Sequence, residues 1–314
     1  MPRTLHQRFA GCLLGLALGD AFGAQFEGRD GDTLRKRFDS QQELLEHLPP
    51  NGLYYTDDTQ MAIGVVESLL ARGQIEPDQL ARNFAANYEA HRGYGRGARL
   101  ILEAINMGHD YRALTESLFP GGSYGNGAAM RVAPVGLSFH DELDRVWEQA
   151  RLSALPTHVH PLGIEGAQVL ATAVALATTT QILDRGEFFG AIAARCESAE
   201  YSGPLRRAAR VTDPRDLALF GNGIEAQSSV VTAIACFGLS PDSFEQTIAN
   251  AVLLGGDTDT IAAMAGAVSG AYLGASALPQ RLLAQLENGR KGREYLIQLA
   301  ADLYDLSTKK GCSS

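Results

Sequence analysis

The chain has four cysteines, Cys12, Cys196, Cys236 and Cys312, and no CxxC pair. That spacing offers neither a zinc-finger ligand set nor a disulfide framework. Cys12 and Cys236 stand in apolar helical text and read as small core hydrophobes in a reducing compartment, so the cytoplasm is the expected location. No stretch reaches the ~18 uninterrupted apolar residues of a membrane span. The apolar segment from Phe9 to Ala24 is interrupted by Asp20 and lacks a clear cleavage site, which predicts a buried helix rather than a signal peptide. Positive charge is also scarce. Lys and Arg number 27 against 36 Asp and Glu, for a net charge of −9. Global attraction to DNA, RNA or anionic membranes is therefore missing, and a phosphate-bearing ligand must be held locally. Period-2 alternation of strand type is absent as well.

Helical periodicity is what remains. Apolar residues recur at i, i+3 and i+4 over Leu5 to Leu18, Asp58 to Ala71, Pro77 to Ala90, Ala98 to Met107, Glu142 to Leu152 and Gly163 to Ala177. The pattern continues over Phe188 to Ser198, Glu225 to Phe237, Pro241 to Leu254, Ile261 to Leu273 and Leu278 to Leu286. With 314 residues, 45% hydrophobic and 20% charged, the chain can build one large core. These features predict an all-α fold, a single compact orthogonal bundle of about a dozen helices over residues 1–306, followed by a frayed polar tail over 307–314. A monomer is expected. Three segments, Gly11 to Gly23, Gly166 to Thr179 and Ile261 to Gly274, are rich in Ala and Gly, which lets helix backbones approach closely at the centre of the domain.

Two acidic clusters carry the chemistry. One is Thr56-Asp57-Asp58-Thr59; the other is Gly255-Gly256-Asp257-Thr258-Asp259-Thr260. Each opens a long apolar helical pattern. Adjacent residues on a helix point about 100° apart and residues two apart about 200°, so neither pair converges in mid-helix. Both can converge at an N-terminal cap. As caps alone they would each contribute about 1 kcal/mol, but one cap needs one oxygen and each cluster supplies four such side chains. Like charges at ~4 Å and an effective dielectric near 20 oppose folding by roughly 4 kcal/mol per pair. Bound cations would remove that cost if the clusters meet. The all-oxygen set favours Mg²⁺ or Mn²⁺ over Zn²⁺, two ions with a bridging Asp rather than one, and no EF-hand pattern supports Ca²⁺.

Gly93-Tyr94-Gly95 and Ser123-Tyr124-Gly125-Asn126-Gly127 read as loops whose glycines permit positive φ and a nest of N–H groups for an anion. The second runs into Ala128-Ala129-Met130-Arg131, an expected helix start that would add dipole attraction for phosphate. Tyr94 and Tyr124 either stack on a flat ring such as adenine or pack on their loops. In Thr157-His158-Val159-His160-Pro161, His158 is either a ligand contact or a solvated loop histidine, and His160 is structural. Glu27, in a Gly-flanked turn, reads unaided as a surface carboxylate.

Together these segments resemble the ADP-ribosylglycohydrolase family, in the order G-C-L-L-G-L-A-L-G-D-A-F-G at 11–23, Y-Y-T-D-D-T at 54–59, G-S-Y-G-N-G-A-A-M-R at 122–131, T-H at 157–158, N-G-I at 222–224 and L-G-G-D-T-D-T-I-A at 254–262. Y-Y-T-D-D-T, R-G-Y-G and G-S-Y-G-N-G look most like the type-three, serine-specific ADP-ribosylhydrolases. The resemblance implies an all-α hydrolase with two Mg²⁺ ions held by Thr56, Asp57, Asp58, Asp257, Asp259 and Thr260. It further implies that Glu27 matches a mobile glutamate, a metal ligand or general acid–base, which reverses the unaided reading. Gly93, Tyr94, Gly95, Ser123, Gly125, Asn126 and Gly127 would bind diphosphate and ribose, Tyr124 and Phe119 would face adenine, and His158 and Ile224 would line the pocket. Partners would be ADP-ribose and ADP-ribosylated proteins or small molecules, with serine-linked ADP-ribose, O-acetyl-ADP-ribose and poly(ADP-ribose) as substrates. Ala128 stands where the family has a second glycine, which leaves substrate range open. An arginine-specific hydrolase, a non-catalytic ADP-ribose reader and a crystallin-like structural protein are the competing readings.

Overall fold

Backbone-to-backbone packing of two helices organises the molecule. A computed structural model describes residues 3–310. Among these residues there are seventeen α-helices, twelve of them nine residues or longer, and no strand beyond three isolated bridges. The first helix, Leu5–Gly23, is capped by Thr4, whose hydroxyl accepts from the Gln7 N–H at 3.3 Å. From Arg8 onward every one of its residues is buried, and so is every residue of the Thr258–Leu273 helix. Helices apolar on all sides belong at the centre of a fold. The two run antiparallel. A methyl group at Gly11, Gly15, Gly19 or Gly23 would overlap the carbonyl oxygen of Gly270, Gly266, Ala262 or Thr258 respectively. The Ala- and Gly-rich text is thus the contact surface of a close helix pair. At its end the Thr258 hydroxyl donates to the Gly23 carbonyl at 2.9 Å.

This pairing brings the end of the first helix to the start of the Thr258 helix. The connection continues beyond the helices: the Gly28 N–H donates to the Gly256 carbonyl at 2.8 Å, and the Gly256 N–H to the Arg29 carbonyl at 2.9 Å. Gly255 and Gly256 hold φ values of 72° and 74°, which a side chain would resist. Amphipathic helices Pro77–Asn87 and Arg96–Asn106 each turn one face to the core, the first through Leu80, Phe84 and Ala85; the second buries only Ile101 and Leu102. Helix Pro161–Thr179 has the length and apolarity of a membrane span, but 78% of that stretch is buried among its neighbours, as in a core helix.

Two details differ from the sequence-based expectation. The text after Gly127 does not start a helix directly. It makes one 3₁₀ turn, Asn126–Ala128, and the α-helix begins at Ala133. Pro134 sets that start, because a residue without an N–H is accommodated in a first turn. The last helix, Arg293–Lys310, carries regular structure into the polar tail, so 307–310 are helical, while 311–314, with Cys312, lie outside the described residues. Cys12 and Cys236 are fully buried.

Candidate metal centre and ligand cavity

Thr56 and Asp257 occupy the N-cap positions of the Asp57–Arg72 and Thr258–Leu273 helices, yet neither side chain caps its own helix. Their oxygens are used across the fold instead. The Thr56 hydroxyl donates to Asp20 at 2.8 Å, and Asp257 accepts from the Asn126 amide at 2.5 Å. Capping therefore does not account for either cluster.

Asp20, on the first helix, is completely buried and receives four hydrogen bonds. The Thr56 N–H and hydroxyl donate at 2.9 and 2.8 Å, and the Thr59 N–H and hydroxyl at 3.0 and 2.5 Å. It anchors the two threonines of the T-D-D-T turn to the core, and the Asp57 and Asp58 side chains between them line the cavity. Burial raises its pKa to about 6 even against those donors. Sequence reasoning missed this role. The available signal was a lone carboxylate inside an otherwise apolar helix, with a hydroxyl-rich turn elsewhere to receive it.

The two clusters meet across a cavity of about 410 Å³. Asp57, Asp58, Asp257, Asp259, Thr260 and Glu27 line one end. Glu27, Asp257 and Asp259 each place a carboxylate oxygen within 4.8 Å of the others. Asp58 is 1% exposed, and its Oδ2 has no hydrogen-bond partner. Such an atom is costly to bury unless something positive faces it. Burial, then repulsion from neighbouring carboxylates, pushes Asp57 up to about 7 and Asp259 up to about 9; Asp58 and Asp257 are raised by burial as well. Carboxylates that lift one another in this way form an acidic group able to hold a metal ion.

The other end is less polar. Ala98, Ile101, Leu118 and Phe119 line it, and the Phe119 ring lies against the bare backbone of Gly97, where a methyl would stand 2.9 Å from the ring. Between the ends run Gly93, Gly95, Ser123, Gly125, Asn126, Gly127, Met130, Arg131, Thr157, His158 and Ile224. The 123–127 loop is pinned to the 222–226 loop: the Asn126 N–H donates to the Ile224 carbonyl at 2.9 Å and the Ala226 N–H to the Tyr124 carbonyl at 3.0 Å. The Asp257 N–H in turn donates to the Asn222 carbonyl at 2.9 Å, which ties this loop pair to the second acidic cluster.

Positive φ falls at Gly93, Gly121 and Gly122, not at Gly95 or Gly125, so a glycine nest made by left-handed backbone at 125–127 is not what forms. The glycines there provide clearance. A methyl at Gly127 would stand 3.0 Å from His158 Cε1. Two expected rings do not reach the cavity, and one expected hydroxyl spends its proton away from it. The Tyr94 ring is buried beneath its loop, its hydroxyl donating to Gln60 Oε1 at 2.7 Å, so it secures Gly93 and Gly95 to the Asp57 helix rather than stacking on a ligand. Tyr124 is half-exposed and packs edge-on against His160 at 5.6 Å. The Thr56 side chain turns toward Asp20. His160 is structural, accepting from the Leu162 N–H at its helix start.

An all-α scaffold thus brings carboxylates able to hold a metal ion and a set of apolar side chains to one cavity. Residues 1–312 match the family model described as ADP-ribosylglycohydrolase, and the chain belongs to that family as an ADP-ribosylhydrolase enzyme. It is 37% identical over 317 residues to the ADP-ribosylhydrolase ARH3 of Homo sapiens, covering 87% of both chains. To the ARH3 of Danio rerio it is 33% identical over 345 residues, covering 97% of this chain and 92% of the relative. A solved structure titled ADP-ribosylglycohydrolase-related protein complex superposes with a TM-score of 0.68 at 31% identity, over 96% of this chain and 99% of that one.

Proposed function

We propose that the chain is a Mg²⁺-dependent hydrolase that releases ADP-ribose from serine-linked conjugates, with O-acetyl-ADP-ribose and poly(ADP-ribose) as further substrates. The observation that carries this reading is the meeting of Asp57, Asp58, Asp257, Asp259 and Glu27 at one end of the cavity, one apolar wall away from Phe119. That lining suits a ribose at the carboxylates, a diphosphate along Ser123, Gly125 and Gly127, and adenine against Ile101, Leu118 and Phe119.

The donor set fits a hard divalent cation. All donors are oxygen, Asp58 Oδ2 is orphaned, and the Thr56 hydroxyl spends its proton on Asp20, which leaves lone pairs free for a cation. Thr56, Asp57, Asp58, Asp257, Asp259, Thr260 and Glu27 would hold two Mg²⁺ ions, with Mn²⁺ as a substitute. When bound, the ions would supply Lewis-acid orientation of the ribose hydroxyls and a bound water of lowered pKa. The residues do the rest. Asp20 holds Thr56 and Thr59 so that the carboxylates need not reorganise. Cleavage at the anomeric carbon passes through an oxocarbenium-like state, which the surrounding carboxylates favour. Glu27 is exposed at the cavity edge, where its carboxylic acid form, when it is not ligating a metal ion, would give a proton to the departing serine oxygen and regain one from the attacking water.

Mass spectrometry on serine- and arginine-linked ADP-ribosyl peptides, with Mg²⁺ or EDTA, tests the reading. Free ADP-ribose is expected from the serine peptide with Mg²⁺ and none with EDTA or with Asp259→Ala. Full turnover in EDTA would reject the metal, and release from the arginine peptide alone would reject the linkage.

A further inference from the structure

Arg131 is 1% exposed and lines the floor of the cavity. Among the described residues, no carboxylate pairs with it at salt-bridge distance. Its guanidinium stacks on Phe84 at 4.6 Å and donates to the Gly127 carbonyl at 2.9 Å, the Ser153 carbonyl at 3.0 Å and the Thr157 hydroxyl at 2.8 Å. A buried cation is costly, so its placement calls for a physical reason.

The Thr157 hydroxyl supplies one. A guanidinium only donates, so the bond from Arg131 occupies a lone pair of Thr157 Oγ1. The next neighbour of that oxygen is His158 Nδ1, at 2.7 Å. The hydroxyl proton has no other acceptor among the described hydrogen bonds, so it points at Nδ1. A ring that accepts at Nδ1 carries its own proton on Nε2. Nε2 lies beside the ligand loop: a methyl at Gly127 would stand 3.4 Å from it, and one at Gly125 3.8 Å. No protein group accepts from it among the described hydrogen bonds. Burial and the adjacent Arg131 push the imidazole down to about 3, so the ring stays neutral.

We propose that Arg131, acting through the Thr157 hydroxyl, locks His158 in the neutral Nε2–H form and so makes the ring a fixed donor to the ligand's diphosphate. The opposite tautomer would present a lone pair to phosphate oxygens that only accept. Thr157 and Arg131 are positioning residues, and His158 is the contact. The assignment of the acceptor as a diphosphate rests on the ADP-ribose reading; the lock itself does not.

Nitrogen-15 NMR of ligand-free protein reads the lock directly, with the His158 signals assigned by their loss in His158→Asn. Wild-type protein is expected to show a bare Nδ1 and a protonated Nε2. Thr157→Val is expected to lose that preference and to weaken ADP-ribose binding about 10-fold by calorimetry in Mg²⁺ buffer, whereas Thr157→Ser, which keeps the hydroxyl, restores both. A proton on Nδ1 in the wild type overturns the proposal, as does unchanged affinity in Thr157→Val or failure of Thr157→Ser to bind like the wild type. Should Thr157→Val fail to fold, the wild-type proton position and the serine variant still decide. A wild type that binds no ADP-ribose speaks against the ligand, while the ring's proton position continues to report on the lock.

Discussion

Stripping the metal from this protein should make its stability fall as pH rises. The cause is the group of carboxylates at the cavity end. In the metal-free chain Asp57 is raised to about 7 and Asp259 to about 9, both above the 3.8 of an ordinary aspartate. Between pH 5 and 7 the folded chain therefore holds protons that the unfolded chain has already released. With more protons on the native state, stability falls as pH rises, by up to about 1.4 kcal/mol per pH unit for each such carboxylate until its folded pKa is passed. Two units and two groups give a loss on the order of 3–5 kcal/mol, an upper bound because both shifts contain repulsion from Asp20, Asp257 and Glu27, which titrate in the same group. At roughly 2 °C per kcal/mol for a chain this long, Tm in EDTA should drop by on the order of 5–10 °C from pH 5 to 7. Mg²⁺ at 100 times its Kd returns about 2.7 kcal/mol, but only where the ligands are deprotonated. The gap between Tm in Mg²⁺ and Tm in EDTA should thus widen from pH 5.5 to 8. Paired thermal melts monitored by circular dichroism measure it, and the subtraction removes titrations elsewhere in the chain. A gap that is zero or does not change with pH would refute the reasoning. Asp259→Asn should shrink the gap and, in EDTA at pH 8, should melt above the wild type.

Three further outcomes follow from the packing and the site. Gly19→Val would drive its side chain into the Ala262 carbonyl, so the urea midpoint should fall by an amount worth about 1–3 kcal/mol; an unchanged midpoint would show the helices able to separate freely. Asp20→Asn turns an amide toward the Thr56 and Thr59 donors and should cost ~1–3 kcal/mol in chemical denaturation together with a loss of kcat, whereas wild-type turnover would remove Asp20 from the support of the metal turn. Glu27→Ala should lower kcat on serine-linked substrate by ~10²-fold while ADP-ribose affinity changes little, and unaltered kcat would end its role as proton donor.

Ten of the twelve longer helices were legible because their apolar residues repeat with a period of 3.6; Ala199–Ala208, which carries Pro204 inside it, and Arg293–Lys310 were not read, and the segment Leu278 to Leu286 holds only the short helix Gln280–Gln285. Close packing was legible in the three Ala- and Gly-rich segments, but not which of them pair; Gly11, Gly15, Gly19 and Gly23, every four residues on one helix face, meet the Thr258–Leu273 helix. Both acidic clusters announced themselves by density of oxygen ligands. What local text could not carry was direction across the fold. Asp20 is an ordinary residue until Thr56 and Thr59 arrive from a different segment to bond it. Tyr94 sits between two loop glycines, as a ligand-stacking ring would, but the acceptor on Gln60 draws it inward. Gly127 suggested backbone freedom and instead makes room for His158. Arg131 reads as a polar residue at a helix start, and only the positions of Gly127, Ser153 and Thr157 reveal a buried cation.

The glycine-to-carbonyl seam between Leu5–Gly23 and Thr258–Leu273 also dictates when this protein becomes an enzyme during synthesis. Its two strips of backbone leave the ribosome more than 200 residues apart, and closing so long a loop is an entropic cost met only once both are free. A nascent chain stopped before Asp257 would hold Asp57 and Asp58 without their counterparts, with the first helix exposing a greasy, side-chain-poor stripe that invites association with another unfinished copy. Translation must therefore pass the Thr258–Leu273 helix before any catalytic competence appears, and truncation into that helix should silence the protein outright rather than by degrees.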